Sequence, residues 1–207
     1  MNPFERVHDA CQVDRRVHLL GELLSPLLVE AADVLDVGCG DGRIAAALST
    51  VRSDLRIEGI DVVMRPDASI PVQLFDGLNI PCEDDSYDTV LFVDVLHHAE
   101  DATALLREAR RVARRQLVIK DHLLEGFLAE PTLRCMDRVG NLRHDVALPH
   151  HYWTERRWRR TWASLDLGVV GFETRLHLYP FPLHWLFDRQ LHFVARLSVG
   201  RQTDVVA

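Results

Sequence analysis

Short apolar runs alternate with amphipathic segments over the middle of the chain. The apolar runs predict strands at 34–37, 55–60, 71–75, 87–96 and 116–120. Between them, apolar residues recur every third or fourth position over 43–50 and 102–114, which predicts helices. Strand and helix repeated in this order predict an α/β fold with an open, doubly wound sheet.

The two ends of the chain follow a different pattern. Residues 4–29 have helical apolar spacing that stops near Pro26, so they predict an N-terminal helical segment over 1–29. Residues 122–153 mix His, Trp, Tyr, Met and Pro without a clean period and are predicted to be an irregular insertion that shapes a substrate pocket. The final predictions are a helix over 154–165 with Thr154 as its N-cap and closing strands at 169–178 and 191–197.

Length and charge limit the classes of protein to consider. The 207 residues are enough for one domain with a buried core, so residues 1–207 are taken as a single domain. A formal net charge of -7 disfavours a nucleic-acid partner, whose phosphates would be repelled. No apolar run approaches the roughly 20 residues of a membrane-spanning helix. A cytoplasmic location is expected, without a membrane partner, while the oligomeric state stays open.

Cysteine and histidine spacings do not point to a metal. The cysteines stand at 11, 39, 82 and 135 without a C-x-x-C pair, which favours buried thiols over disulfides or zinc ligands. His144, His150 and His151 are close in sequence, but their spacing fits no standard site. No metal is predicted.

The stretch VLDVGCGDGR, residues 34–43, predicts a strand that turns sharply into a helix beside a ligand. The nucleoside-triphosphate loop G-x-x-x-x-G-K-[ST] is absent from the chain. A dinucleotide loop, G-x-G-x-x-G, would need its third glycine where Arg43 stands. The pattern present is G-x-G-x-G, preceded by Asp36.

This D-x-G-x-G-x-G pattern resembles the class I S-adenosylmethionine-dependent methyltransferases, particularly the small-molecule branch related to ubiquinone biosynthesis. The block IPCEDDSYDTVLFVDVLHH, residues 80–98, also resembles that family. The resemblance implies a Rossmann-like sheet of seven strands, mostly parallel with one antiparallel strand. It also implies S-adenosyl-L-methionine as the cofactor.

The resemblance assigns cofactor contacts to the residues that follow each of the first four strands. Asp36 is expected near the methionine amino group, and Asp61 is expected to accept from both ribose hydroxyls. Asp76 is expected at the adenine amino group. The full predicted set is Asp36, Gly38, Cys39, Gly40, Gly42, Asp61, Val62, Asp76, Gly77, Asp94, Val95 and His98.

Candidate catalytic residues follow the fifth predicted strand, because ligands in open α/β sheets bind beyond the carboxyl ends of the strands. His122, with Asp121 beside it, is predicted to accept a proton from a hydroxyl that is being methylated. The alternative is a histidine packed in the pocket wall. Tyr152 is a further candidate, with an aromatic anchor as its alternative, and Arg16 is a candidate for the cofactor carboxylate. The role of His97 stays open.

The predicted function is methylation of a small-molecule acceptor on oxygen or carbon. The N/D-P-P-Y string of nucleic-acid and glutamine amino methyltransferases is absent. One alternative is a non-catalytic protein of the same fold that binds S-adenosylmethionine or S-adenosylhomocysteine. A nicotinamide-dependent oxidoreductase is a third interpretation, which Arg43 disfavours.

Overall fold

The computed structural model of the protein describes residues 15–141, 151–179, 181 and 184–200. The strands are β1 (Asp33–Val37), β2 (Arg56–Asp61), β3 (Val72–Leu74), β4 (Tyr87–Val93), β5 (Ala113–His122), β6 (Leu167–Glu173) and β7 (His192–Val199). They form one sheet in the order β3-β2-β1-β4-β5-β7-β6. Strand β7 is antiparallel to both its neighbours, and the other pairs are parallel. The predicted seven-stranded sheet with one antiparallel strand is confirmed.

Helices cover both faces of this sheet. They are α1 (residues 15–24), α2 (Arg43–Val51), α3 (Ala102–Val112), α4 (Ala129–Asn141), α5 (Glu155–Ser164) and α6 (His184–Phe187). The Asp101 side chain caps α3 by accepting hydrogen bonds of 2.9 Å from two backbone N–H groups of its first turn. Thr154 caps α5 by accepting from Arg157 N at 3.3 Å, as the sequence predicts.

Alternate residues of the central strands bury into two separate apolar layers. Val90 and Phe92 of β4 pack with α3 and α5, whose Leu105 and Trp162 are fully buried. Leu91 points to the opposite face and packs with α1 and α2. A strand that is buried on both faces needs apolar residues at consecutive positions, which explains the continuous apolar run in β4.

Several predicted boundaries are wrong. The N-terminal helix ends at residue 24 because Pro26 opens a short 3-10 turn at Ser25–Leu27, and residues 1–14 lie outside the described part. Helix α3 ends at Val112, and β5 begins at the next residue. Strand β6 ends at Glu173, so the predicted strand over 169–178 begins and ends too late in the chain.

The segment 122–153 is not irregular throughout. It contains α4, a helix of 13 residues, and a period-based prediction misses it because Pro131 lies near its start. Proline is tolerated there because the first turn of a helix has no partner for that backbone N–H. Residues 142–150 lie outside the described part. Among the described helices, none combines the length and apolar character needed to cross a bilayer.

Candidate functional site

The turn between β1 and α2 presents one glycine to the protein and another to open space. Gly38 has φ +73°, and a Cβ added there would lie 2.6 Å from Val95 Cγ2. Gly40 has φ +62°, but an added Cβ would meet no atom within 4 Å. Glycine is therefore required at 38 by packing inside the protein, whereas the backbone at Gly40 borders a space that a ligand can enter.

Asp61, the last residue of β2, is oriented by the same turn. Its Oδ2 accepts a hydrogen bond of 2.7 Å from Gly40 N, and its Oδ1 accepts one of 2.9 Å from Val63 N. Each carboxylate oxygen has two lone pairs, so both keep one for a further donor. This geometry fits the predicted contact with two ribose hydroxyls.

Asp36 lies buried in β1, two residues before Gly38. Burial, with the charge of Asp61 nearby, raises the pKa of Asp36 to about 7. A buried carboxylate gains most from a cation placed beside it, since that cation offsets the cost of ionisation. The site therefore suits the ammonium group of a bound amino acid.

The turn after β3 is held by Asp76 and brings Gly77 close to Val62, which follows β2. The Asp76 carboxylate accepts from Leu78 N at 2.8 Å and from Asn79 N at 2.6 Å, so it fixes the turn that contains Gly77. Val62 is 51% exposed, and an added Cβ on Gly77 would lie 3.2 Å from it. Asp76 thus has a structural task besides the predicted contact with adenine.

Cys39 faces the protein. Its Sγ lies 2.6 Å from the position that a Cβ would take on Gly59, underneath the turn. Its backbone N–H donates to Ile60 O at 3.2 Å, which ties the turn to β2. The side chain is therefore turned away from the space beside Gly40, and only its backbone can contribute to the predicted cofactor contact.

The predicted cofactor residues follow four adjacent strands, in the spatial order β3, β2, β1 and β4. The open backbone at Gly40 and the carboxylates at 36 and 61 fit S-adenosylmethionine, which carries an ammonium and two ribose hydroxyls. His98 follows β4, half-buried, with its ring centroid 3.8 Å from that of His97. The residues assigned by the resemblance are therefore brought together along one edge of the sheet.

A buried ionic cluster lies at the next strand ends, those of β4, β5 and β7. Asp94, directly after β4, is 2.5 Å from Nζ of the buried Lys120 and 2.5 Å from Nη2 of Arg16, whose side chain is 58% exposed. Burial alone would raise the pKa of Asp94, but the charges of Lys120 and Arg16 outweigh it and hold that pKa well below its usual range. The structure therefore places Arg16 on Asp94, whereas the sequence suggested a contact with the cofactor carboxylate.

Asp121 and His122 do not act as a pair. Asp121 Oδ1 lies 2.6 Å from His97 Nδ1, whereas His122 Nδ1 is 3.7 Å from the same oxygen. Neighbouring residues on a strand point to opposite faces, so the partner of Asp121 comes from the turn after β4. The sequence left the role of His97 open, and the spacing of 24 residues between His97 and Asp121 gave no signal.

Tyr152 is buried and donates a hydrogen bond to Asp137 of α4. Asp137 Oδ2 is also 3.5 Å from His97 Nε2. Tyr152 is therefore tied into the cluster through a residue that the sequence analysis missed, because α4 itself was missed. His192 was missed too, although β7 pairs it directly with His122.

The charges of this cluster balance without a metal. Among the residues that the structure describes, two groups of three side chains have ligand atoms within 4.8 Å of one another. They are Asp94, His122 and His192, and His97, His122 and Asp137. Both oxygens of Asp94, however, are already 2.5 Å from the cations Lys120 and Arg16. A divalent ion in the first group would lie against those cations, and in the second group the raised pKa of His97, about 10, keeps that ring protonated and unable to coordinate. No metal therefore remains the preferred interpretation.

Comparison with known proteins finds similarity to methyltransferases. Residues 35–118 match a family model described as a methyltransferase domain. These residues include the turn between β1 and α2, Asp61 and most of β5. Over residues 35–118 the chain is therefore similar to the class I S-adenosylmethionine-dependent methyltransferases.

Individual curated relatives are similar to about half of this chain, and solved structures share its fold. The 27-O-demethylrifamycin SV methyltransferase of Amycolatopsis mediterranei is 30% identical over 122 residues, which are 51% of this chain and 44% of that protein. A methyltransferase from Aquifex aeolicus shares the fold with TM-score 0.62 and 18% identity, over 89% of this chain and 93% of that one. The cyclase SpnF also shares the fold, with TM-score 0.67 and 15% identity, over 88% of this chain and 81% of that one. The chain spans about half the length of the curated relatives it matches.

Proposed function

We propose that this protein transfers the methyl group of S-adenosylmethionine to an oxygen of a small organic acceptor. The observation that carries the proposal is the adjacency of two sites. Residues suited to the cofactor end β3, β2, β1 and β4, and the buried polar cluster begins at Asp94 and continues across β5 and β7. An acceptor bound at the cluster would lie directly beside the cofactor.

Oxygen is favoured over carbon by the relative named 27-O-demethylrifamycin SV methyltransferase, because that name places the methyl group on an oxygen. The cofactor supplies a methyl group on a sulfonium. The protein's contribution is then to hold the acceptor oxygen in line with that methyl group and to exclude water. His122, at the end of β5 and 5% exposed, is the side chain proposed to contact the acceptor, and the segment 122–153 is proposed to shape its pocket.

The cofactor contacts are part of the same proposal. Asp61 would bind the ribose hydroxyls and Asp36 the ammonium, with Gly38, Gly40 and Gly42 forming the turn beneath them. The side chains proposed to flank the adenine and the methyl group are Val62, Asp76, Gly77, Asp94, Val95 and His98.

The test is a methylation assay with the full chain. We expect S-adenosylmethionine labelled in its methyl group to give a labelled product with at least one member of a panel of phenols, enols and alcohols. The exposed Asp67→Ala variant serves as a control that should match the wild type.

A second candidate is a protein of this fold that performs no methyl transfer. It is favoured by the similarity to SpnF, a cyclase with the same architecture. Tight binding of S-adenosylmethionine without methylated product across the panel would support this candidate and contradict the first.

A further inference from the structure

The shortest contact in the buried cluster that involves an imidazole fixes the position of a proton. His97 Nδ1 lies 2.6 Å from Asp121 Oδ1, and both side chains are essentially inaccessible to solvent. Asp121 also accepts hydrogen bonds from Leu96 N at 2.9 Å and from His122 N at 2.7 Å. Two lone pairs would repel at 2.6 Å, so a proton must lie between them, and an acceptor of two backbone N–H groups is ionised. His97 therefore donates from Nδ1.

His97 carries a proton on its other nitrogen as well. Its Nε2 lies 3.5 Å from Asp137 Oδ2. Burial alone would lower the pKa of His97, but the charge of Asp121, the hydrogen bond to it and the nearby carboxylate of Asp137 outweigh burial and raise it to about 10. His97 is thus an imidazolium at neutral pH, held between two carboxylates.

The His122 ring abuts this imidazolium. His122 Nδ1 is 3.3 Å from His97 Nδ1, and the two rings meet edge to face with centroids 4.4 Å apart. Because His97 Nδ1 already bears a proton, His122 Nδ1 must present its lone pair. A neutral imidazole with a lone pair on Nδ1 keeps its proton on Nε2, on the side of the ring away from His97.

Other charged and titratable groups around His122 keep it neutral. Burial lowers its pKa well below the usual range, and the charge of His97 lowers it further. Several titratable groups face or act on this ring from the ends of β4, β5 and β7, the 3-10 turn Leu96–His98, α4 and the segment before α5. They are Asp94, His97, Lys120, Asp121, Asp137, Tyr152 and His192. The three carboxylates among them favour a protonated ring, but each is engaged by another group: Asp94 by Lys120 and Arg16, Asp121 by His97, and Asp137 by Tyr152.

We propose that His97 and Asp121 are positioning residues that fix His122 as the Nε2–H tautomer, so that His122 holds the acceptor oxygen by donating a hydrogen bond rather than by taking its proton. This inference rests on the proposed methyl transfer and revises the expectation that His122 is a base.

The inference also names the class of acceptor. If no side chain at this position takes a proton, the acceptor oxygen must arrive ionised, as a phenolate or the enolate of a 1,3-dicarbonyl compound does. Its lone pair forms the O–CH₃ bond, the C–S bond breaks with its electrons on sulfur, and no proton moves. An aliphatic alcohol would need a base and is a poor acceptor.

The first test reads the tautomer without any turnover, so it is independent of the proposed function. The full chain labelled with ¹⁵N at histidine would be examined by NMR at pH 7.5, with His122 assigned by its absence in His122→Gln. We expect a neutral ring that is protonated at Nε2. A proton on Nδ1, or an imidazolium at this pH, would overturn the proposal.

The second test compares two amides that differ in reach. The amide nitrogen of His122→Gln lies near the place of Nε2, whereas that of His122→Asn lies near Nδ1. With 4-nitrophenol as the probe, we expect Gln to keep kcat/KM within about tenfold of wild type and Asn to lose on the order of a hundredfold. Equal and large losses in both would contradict a donor role, since neither amide can take a proton.

Thermal melting of both variants provides the control for folding. Cyclohexanol, an alcohol that does not ionise near neutral pH, completes the comparison. Turnover of cyclohexanol as fast as that of 4-nitrophenol would overturn the assigned class of acceptor. If neither probe nor any other acceptor is methylated, the proposed function fails, while the NMR measurement still decides the tautomer.

Discussion

The carboxylates at the carboxyl ends of the strands differ in their burial and in the hydrogen bonds and charges that surround them. Asp61 and Asp76 are both engaged by backbone N–H groups, but Asp61 is buried and oriented toward the open turn, whereas Asp76 is exposed and closes its own turn. Asp36, by contrast, is buried beside another acid. Loss of each side chain should therefore affect cofactor binding through a different physical effect.

Replacement of Asp61 by alanine should weaken the binding of S-adenosylmethionine by about 1–3 kcal/mol, because two hydroxyls lose an ionised acceptor. Isothermal titration calorimetry would measure it, with Asp67→Ala as the matched exposed acid. Unchanged affinity in Asp61→Ala would remove this residue from the cofactor site.

Binding of S-adenosylmethionine should weaken as the pH falls below about 7, where Asp36 becomes protonated. Only the ionised carboxylate attracts the ammonium, so each unit below that pKa should cost up to about tenfold in affinity. The folded-state pKa is raised, so without cofactor Asp36 makes the opposite contribution, and its stabilisation of the fold increases as the pH falls through 7.

Asp36→Asn serves as the control for this pH dependence. Calorimetric titrations from pH 5.5 to 8.5 should show a lower and flatter affinity profile in the variant. The same pH dependence in wild type and variant would show that another group is responsible.

At the level of elements, the turn between β1 and α2 restricts which residues its positions can accommodate. Its backbone lies between the end of β4 and the space proposed for the cofactor. Gly38 and Gly40 both have positive φ, but a side chain would collide with Val95 at the first position and meet no protein atom at the second. The same substitution, glycine to alanine, should therefore affect mainly the stability of the fold at position 38 and mainly the binding of the cofactor at position 40.

Gly38→Ala should destabilise the fold by about 1–3 kcal/mol more than Gly40→Ala, because both alanines strain the backbone but one also collides with Val95. Gly40→Ala should instead reduce cofactor affinity with a smaller effect on folding. Urea denaturation and calorimetry on the same preparations would measure both quantities. Equal stability in the two variants would contradict the packing described for Gly38.

Across the whole molecule, the buried cluster connects elements that are distant in sequence. Arg16 comes from α1, Asp94 follows β4, Lys120 belongs to β5 and Asp137 to α4. Three carboxylates, at 94, 121 and 137, face the cations of Arg16, Lys120 and His97. Removal of one of the buried members, Lys120 or Asp121 among them, leaves an opposite charge that is poorly compensated, so the cluster should contribute to stability as a unit.

Lys120→Met should lower the free energy of unfolding by about 3–5 kcal/mol, because the carboxylate of Asp94 loses its buried partner. The double variant Lys120→Met with Asp94→Asn should recover part of that loss, since it also removes the charge left behind. Urea denaturation of the two single variants and the double variant completes the cycle. Additive losses would show that the two groups do not interact.

Local signals in the sequence predicted most of the sheet and the cofactor side of the site. Apolar runs and the glycine pattern lie within single segments, so β1, β2, β4 and the turn at Gly38 could be recognised without knowledge of distant contacts. Predictions went wrong where a local signal was ambiguous. Pro131 obscured α4, and no period marked the exact start of β5 after α3.

By itself, the sequence determined the order of strands and helices and the residues that follow the first four strands, because each depends on neighbouring residues. Only the tertiary structure decided the partners within the buried cluster. Asp121 meets His97 and not His122, and His192 meets Lys120, since parallel and antiparallel pairing brings together strand ends that are 24 to 72 residues apart. The ionisation and tautomer of a buried side chain follow from such neighbours, and no spacing along the chain encodes them.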